Sequence, residues 1–301
     1  MAIEDPVVAI VGPTASGKSA LAIDVAGLLR GEVVNADAFQ LYRGMDLGTA
    51  KPTADERRGV PHHLLDVLSI DQDATVAGYQ RRAAAVLTDI AARGRRAVLA
   101  GGSGLYVRAV LDGLEIPPTD RAVRDRLEGE LARLGAPALH ARLASRDPAA
   151  ASAILASNGR RVVRALEVNE VTGGPFRATL PNGAYAVPAV QVGLAVPRDV
   201  LDRRIAARVE RMWRDGLVEE VRALERAGLR TTRTAARALG YAQILRMLAG
   251  ELNEQEAKAD TIASTRRFAR RQESWFRRDP RVTWLPFDAL DLPQRVVALA
   301  G

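Results

Sequence analysis

Apolar and polar positions along this chain follow two periods, and the first hundred residues carry both. Pro6-Val7-Val8-Ala9-Ile10-Val11 is a short unbroken apolar run, which predicts a strand buried on both faces. Residues 19–30 then place apolar side chains at helical spacing, and Glu32-Val33-Val34-Asn35-Ala36 reads as a second strand ending at Asp37. Further strands are predicted at 61–67 (short, leading into a loop), 96–100, 190–196 and 282–285. Helices are predicted at 75–93, 105–111, 198–215, 217–227, 234–248 and 253–276. Strands alternating with helices predict a parallel α/β sheet flanked by helices. Between residues 120 and 185 the pattern changes to four helical stretches, 121–134, 136–143, 148–155 and 160–171, with few β-branched runs. The expected organisation is a core domain of 1–119 and 186–301 with an inserted all-helical lobe at 120–185.

The junction after the first strand is the most informative stretch. Gly12-Pro13-Thr14-Ala15-Ser16-Gly17-Lys18-Ser19 satisfies every defined position of the phosphate-loop pattern, between a strand and a helix as that pattern requires. The glycines let several backbone N–H groups converge on one anion. The helix adds its positive N-terminal end, and Lys18 a full charge. This predicts a P-loop-type core that holds a diphosphate or triphosphate, with Ser19 placed to ligate Mg²⁺. Gly101-Gly102-Ser103-Gly104 makes a second strand-to-glycine-to-helix junction on the same sheet edge, where Asp37 is also expected. The later strand ends in glycine rather than in the Asp that an ATPase would use for Mg²⁺. Phosphoryl transfer and carbon chemistry with diphosphate as leaving group both remain open on these residues. The stretch 39–52, rich in polar and glycine positions, reads as a functional loop.

Composition narrows the classes. There is no cysteine, which excludes disulfides, thiol catalysis and cysteine-ligated zinc. No apolar run is long enough to span a membrane, and the opening residues, with Glu4 and Asp5, do not suit a secretory leader, so a cytoplasmic protein is expected. The net charge is +7, and because only Lys18, Lys51 and Lys258 are lysines, nearly all of the positive charge is arginine, the better fork for phosphate. The arginines concentrate at 158–164 and 266–278, the second interleaved with Phe268, Trp275 and Phe276, a pattern suited to RNA and equally to an amphipathic helix with its aromatics inward. The adjacent His62 and His63 lack a third ligand and are read as structural, Tyr42 and Tyr106 as supports, and Trp213 as core.

The chain resembles the bacterial tRNA dimethylallyltransferases through the phosphate loop at 12–19, Asn-Ala-Asp at 35–37, Tyr-Arg-Gly-Met-Asp-Leu-Gly-Thr-Ala-Lys-Pro at 42–52, Pro-His-His-Leu-Leu-Asp at 61–66 and Gly-Gly-Ser-Gly-Leu-Tyr at 101–106. The likeness continues through Arg-Ala-Leu-Glu-Val at 164–168, Arg-Ile-Ala-Ala-Arg-Val-Glu-Arg-Met at 204–212, Gly-Tyr at 240–241 and Arg-Arg-Gln-Glu-Ser-Trp at 270–275, over nearly the whole chain. The resemblance implies transfer of a dimethylallyl group from dimethylallyl diphosphate to the exocyclic amine of the adenosine 3′ of a tRNA anticodon. It implies Asp37 as general base, and Ser103, where relatives commonly carry threonine, as a hydroxyl at the diphosphate. Lys18, Arg208 and Mg²⁺ on Ser19 would neutralise the departing diphosphate. For tRNA it points to Asp37, Ala38, Phe39 and Gln40 around the target base, then to Arg124 and to Asn158, Gly159, Arg160, Arg161 and Val162. Gly240, Tyr241, Arg270, Arg271, Gln272, Trp275, Arg277 and Arg278 complete that set. Ala38 departs from the serine common at its position. The partners implied are the tRNA anticodon stem-loop and dimethylallyl diphosphate, with no membrane, and a monomer is expected. Rival readings are an adenylate isopentenyltransferase acting on free nucleotide, a nucleotide-switched RNA-binding protein and a small-molecule kinase.

Overall fold

The computed structural model describes residues 3–177 and 184–301. The chain divides into two compact units, one of Met1–Leu114 with Tyr185–Gly301 and one of Glu115–Ala184. Of the stretch read as a helical lobe, residues 178–183 lie outside the described residues.

The larger unit is built on six parallel strands: β1 (Val7–Val11), β2 (Glu32–Asn35), β3 (His62–His63), β4 (Ala97–Gly101), β5 (Ala189–Ala195) and β6 (Val282–Pro286). Their order across the sheet is β3-β2-β4-β1-β5-β6, every pairing parallel. All five residues of β1 are buried, because helices cover both faces of the sheet and leave no side for polar residues. One face packs Val7, Ala9, Val11, Val34 and Leu99 with side chains of α3 (Val76–Ala92) and α4 (Gly104–Leu111). The other packs Val8, Ile10, Val98 and Val192 against α1 (Lys18–Leu28) and a C-terminal helix at Leu292–Leu299 that the apolar pattern did not single out. A four-residue helix α2 (Ala54–Arg57) is likewise not singled out by the apolar pattern. Register places Val11 opposite both Gly101 and Gly193, and Asn35 opposite Ala100. The loops that follow β1, β2 and β4 therefore leave one edge of the sheet side by side, where such sheets bind ligands.

Two expected elements differ. The strand drawn at 61–67 is only His62–His63, because Leu64 and Asp66 adopt positive φ (60° and 57°) that no strand tolerates. The helix drawn at 234–248 is broken: Ala235–Arg237 is a 3₁₀ turn and α-helix begins only at Tyr241. Gly240 has φ 87°, outside the helical region.

After β5 come helices at Arg198–Arg214 (α5) and Leu217–Arg226 (α6), then Tyr241–Leu248 (α7) and the long α8 (Glu254–Arg277). Asn253 starts α8 with a capping box, its side chain accepting from Glu256 N (2.9 Å) while Glu256 accepts from Asn253 N (2.8 Å). Such a box is worth about 1 kcal/mol and fixes where the helix begins. Its buried positions Ala269, Gln272 and Phe276 lie three and four residues apart, so one face of α8 looks inward.

Among the described residues the smaller unit contains four helices, Arg121–Leu134, Ala136–Arg146, Pro148–Ala153 and Gly159–Thr172. Its core is Leu127, Leu139, Leu143, Ile154, Val162, Val163 and Leu166. Glu167, fully buried, accepts from Asp120 N (3.2 Å) and pairs with Arg124 and Arg164.

Candidate active site

The loop after β1 bends through positive φ at Gly12 (133°), Ala15 (63°) and Gly17 (101°). Successive turns of this kind aim backbone N–H groups into one concavity. The Ser16 hydroxyl is buried there and has no partner among the described residues. Lys18 opens α1 and its Nζ donates to Pro13 O (3.1 Å). From α5, Arg208 Nη1 donates to the Thr14 hydroxyl (3.1 Å), and Arg204 lies over the Phe287 ring at 4.5 Å and reaches Ser16 O (3.4 Å). The geometry thus selects Arg208, rather than Arg204 or Arg211, as the guanidinium bonded to a side chain of the loop.

Burial pulls the Lys18 ammonium down to about 8, the Asp37 carboxylate opposing the shift and Arg208 adding to it. Burial also lowers Arg208, with Asp37 again opposing and Arg211 contributing. Asp37, Lys18 and Arg208 therefore occupy one electrostatic neighbourhood in which both cations feel the Asp37 carboxylate, with Glu56 a smaller influence on Arg208.

Asp37 is held by its own loop. Asn35 Oδ1 accepts from Asp37 N (2.9 Å), and Asn35 Nδ2 donates to Asp37 O and Leu64 O (3.0 Å each). Asp37 Oδ1 accepts from Phe39 N (3.0 Å), which orients the carboxylate and commits only one oxygen. The Ser103 hydroxyl accepts from Ala38 N (3.3 Å), and Ser103 N donates to Ala36 O (3.2 Å), so the second glycine junction is tied to the Asp37 loop. That hydroxyl keeps its own proton to donate elsewhere. Beneath the loop, Tyr79 donates to Asn35 O (2.9 Å) and stacks on Tyr106 at 4.3 Å.

The 39–52 loop is pinned rather than free. Gln40 Nε2 donates to Thr49 O and Ala50 O (3.1 and 3.2 Å), and buried Lys51 reaches Tyr42 O (2.8 Å) and Asp66 (2.6 Å). Glu220 of α6 accepts from Leu47 N (2.9 Å) and from the Tyr241 hydroxyl. The sequence assigns no individual role to Asn35 or Glu220, and Lys51 only a place within the 39–52 functional loop. The signal for Asn35 was present, an amide inside an otherwise apolar strand; Glu220 carried none.

Several residues read as RNA contacts sit elsewhere. Tyr241 and Val162 are fully buried and Gly240 is buried against Leu217, so all three shape the interior. Gln272 is 5% exposed and bonds two loops of the site. Arg124 is engaged with Glu167, and the Asn158 side chain accepts from Arg161 N (3.3 Å), capping its helix. Gly159 abuts Leu131. Ala38, Phe39 and Gln40 are half-buried beside Asp37, while Arg160, Arg161, Arg270, Arg271 and Arg278 are exposed. Arg277 stacks over Trp284 at 4.2 Å. Arg270, Arg271, Ser274, Trp275 and Arg278 line an open depression on α8. His63 Nε2 meets Glu32 at 2.6 Å, a structural role, and Trp213 is buried.

A parallel sheet whose P-loop lies beside the Asp37 carboxylate and the half-buried Arg208 defines an α/β P-loop protein with a site suited to a phosphate-bearing ligand. Residues 40–279 match the IPP transferase family. The chain is 65% identical to the tRNA dimethylallyltransferase of Thermobifida fusca, over 97% of this chain and 93% of that protein, and 62% identical to that of Kineococcus radiotolerans, over 98% and 96%. Its structure is similar to that of the tRNA isopentenylpyrophosphate transferase of Bacillus halodurans (TM-score 0.71, 39% identity, 99% of this chain and 95% of that one). This chain belongs to the bacterial tRNA dimethylallyltransferase family. A eukaryotic dimethylallyltransferase acting on tRNA, at 24% identity and TM-score 0.81, shares the fold.

Proposed function

We propose how this chain's residues divide the work of its family's reaction. The chain is a prenyltransferase that transfers a dimethylallyl group to an anticodon adenosine of tRNA. The donor is dimethylallyl diphosphate, its diphosphate held by the backbone of 12–19, the Ser16 hydroxyl, Lys18 and Arg208. The adenosine amine attacks the carbon bearing the diphosphate as the carbon–oxygen bond breaks, and diphosphate leaves with that electron pair. Asp37 takes the proton that the amine sheds, through the carboxylate oxygen not committed to Phe39 N, and makes a weak nucleophile competent. Lys18, Arg208 and the Ser103 hydroxyl stabilise the charge that accumulates on the departing diphosphate.

Among the described residues no cluster of three His, Cys, Asp or Glu could hold a metal on protein ligands alone. The exposed Ser19 hydroxyl at the head of α1 suits Mg²⁺, a cation bound through few protein groups plus water and substrate phosphate oxygens. Bound there, Mg²⁺ would neutralise diphosphate charge.

The arginines of α8 follow the tRNA backbone, and the 120–185 lobe adds Arg160 and Arg161. Among the described residues no helix is long and apolar enough to cross a membrane. A tRNA substrate places the enzyme in the cytoplasm. One copy supplies the cradle, Asp37 and Arg208, so a monomer suffices.

The observation that carries this reading is the convergence of Asp37 and Lys18, from the loops that follow two strands of one sheet edge, with Arg208 of α5, which bonds the Thr14 hydroxyl. It is tested by offering labelled dimethylallyl diphosphate and Mg²⁺ with unmodified tRNA and AMP side by side. Label is expected in tRNA, at the base 3′ of the anticodon. Label in AMP would make the chain a free-nucleotide enzyme, and label in neither, with ATP turned over, would refute prenyl transfer.

A further inference from the structure

Gln272 lies on the inward face of α8, between Ala269 and Phe276, where the apolar pattern would place an aliphatic residue. Its amide is used at both ends. Oε1 accepts from Thr14 N in the phosphate loop (2.8 Å), and Nε2 donates to Gly102 O in the loop after β4 (3.0 Å). There is no slack around it: a Cβ on Gly102 would lie 2.1 Å from Gln272 Nε2 and 3.2 Å from Gly12 O. One turn further along α8, the Trp275 ring lies against Gly104, where a Cβ would come within 2.1 Å of it.

The two backbone groups so joined flank the chemistry. Thr14 carries the hydroxyl that Arg208 reaches, and Gly102 precedes Ser103, whose hydroxyl meets the Asp37 loop. We propose that Gln272 is a positioning residue for the transfer reaction, a buried amide that sets the diphosphate cradle against the Ser103 junction. This inference rests on the prenyl-transfer reading above. It replaces direct RNA contact as the role of Gln272, leaving that role to the exposed Arg270 and Arg271 on the same helix. An amide fits because the site needs an acceptor and a donor on one planar group. An ionised carboxylate keeps the acceptor but turns an oxygen toward Gly102 O, whereas a protonated carboxylic acid restores the donor.

The test is the kinetics of Gln272→Met and Gln272→Glu with tRNA and dimethylallyl diphosphate, beside wild type. Gln272→Met keeps the volume and loses both bonds, and kcat/KM for dimethylallyl diphosphate should fall about 30-fold or more with the tRNA Kd within about two-fold. Gln272→Glu should be similarly impaired at about pH 8 and gain about ten-fold relative to wild type by about pH 6, as the carboxyl takes up a proton, while Gln272→Met stays flat. Wild-type donor kinetics in Gln272→Met would overturn the proposal, as would a loss confined to tRNA affinity. If Gln272→Met fails to fold, the pH response of Gln272→Glu decides alone: recovery supports the clamp and its absence removes it. A wild-type enzyme that prenylates no tRNA would refute the function rather than the clamp.

Discussion

The cations of the phosphate loop and the arginines of the helical unit are partnered in opposite ways. In the helical unit, Arg124 and Arg164 converge on buried Glu167, while Arg126 and Arg142 are each paired with both Glu130 and Glu170. Around the phosphate loop, Lys18 bonds a carbonyl and Arg208 a hydroxyl, and Asp37 is the carboxylate that both feel. Half-buried positive charge left short of carboxylates costs stability, a cost that an arriving diphosphate offsets. Net charge therefore locates nothing by itself; what matters is whether the chain has already neutralised it.

The sharpest test of this contrast is Asp37→Asn, which keeps the size and removes the proton acceptor. We expect kcat to fall on the order of 10³-fold with tRNA still bound, and a wild-type rate would take Asp37 out of the mechanism. Next, Lys18→Ala and Arg208→Ala should each lower kcat/KM for dimethylallyl diphosphate on the order of 10²-fold. Since the free-enzyme Lys18 titrates at about 8, kcat/KM for the donor should decline as pH rises through that value, and Lys18→Arg should move the decline to higher pH. The same shift has a stability counterpart. With a folded value of about 8 against an ordinary 10.5, the folded chain binds fewer protons than the unfolded one across that window. The destabilisation from Lys18 is therefore full below pH 8 and relieved as pH approaches 10.5.

On the other side, Glu167→Gln strands two arginines around a buried amide. It should cost about 3 kcal/mol in a melt while leaving KM for dimethylallyl diphosphate unchanged. A change in donor affinity would break the division between folding charge and ligand charge. The smallest effect is expected for the double replacement Arg270→Ala with Arg271→Ala: tRNA binding about ten-fold weaker, and a salt dependence shallower by up to about two phosphate contacts. Unchanged tRNA binding would make the exposed face of α8 a solvated surface only.

Much of the core was legible because its signals are local. The unbroken apolar run at 7–11 needs no partner to declare a doubly covered strand, and the phosphate loop is a continuous backbone shape whose chemistry is written in eight consecutive residues. Asp37 and Ser103 were legible as strand-end residues, since a parallel sheet places such positions on one edge. Which residues of a motif face outward is not legible in the same way, because a run of motif residues does not tell which side of a helix each one takes. Gln272 and Arg271 are neighbours in sequence, yet one is buried between two loops and the other exposed. Arg124 reads as a free cation until Glu167, 43 residues away, is folded beside it.

The sequence by itself determined most of the elements, the parallel sheet and the presence of a phosphate cradle, since periodicity and backbone stereochemistry act over a few residues. Only the tertiary structure decided that Arg208 rather than Arg204 bonds a side chain of that cradle, that Tyr241 anchors Glu220 from the interior, and that Gln272 joins Thr14 to Gly102. Those are pairings across 194, 21, 258 and 170 residues of chain, fixed by packing and by the need of each buried polar group for a partner, which no local pattern encodes.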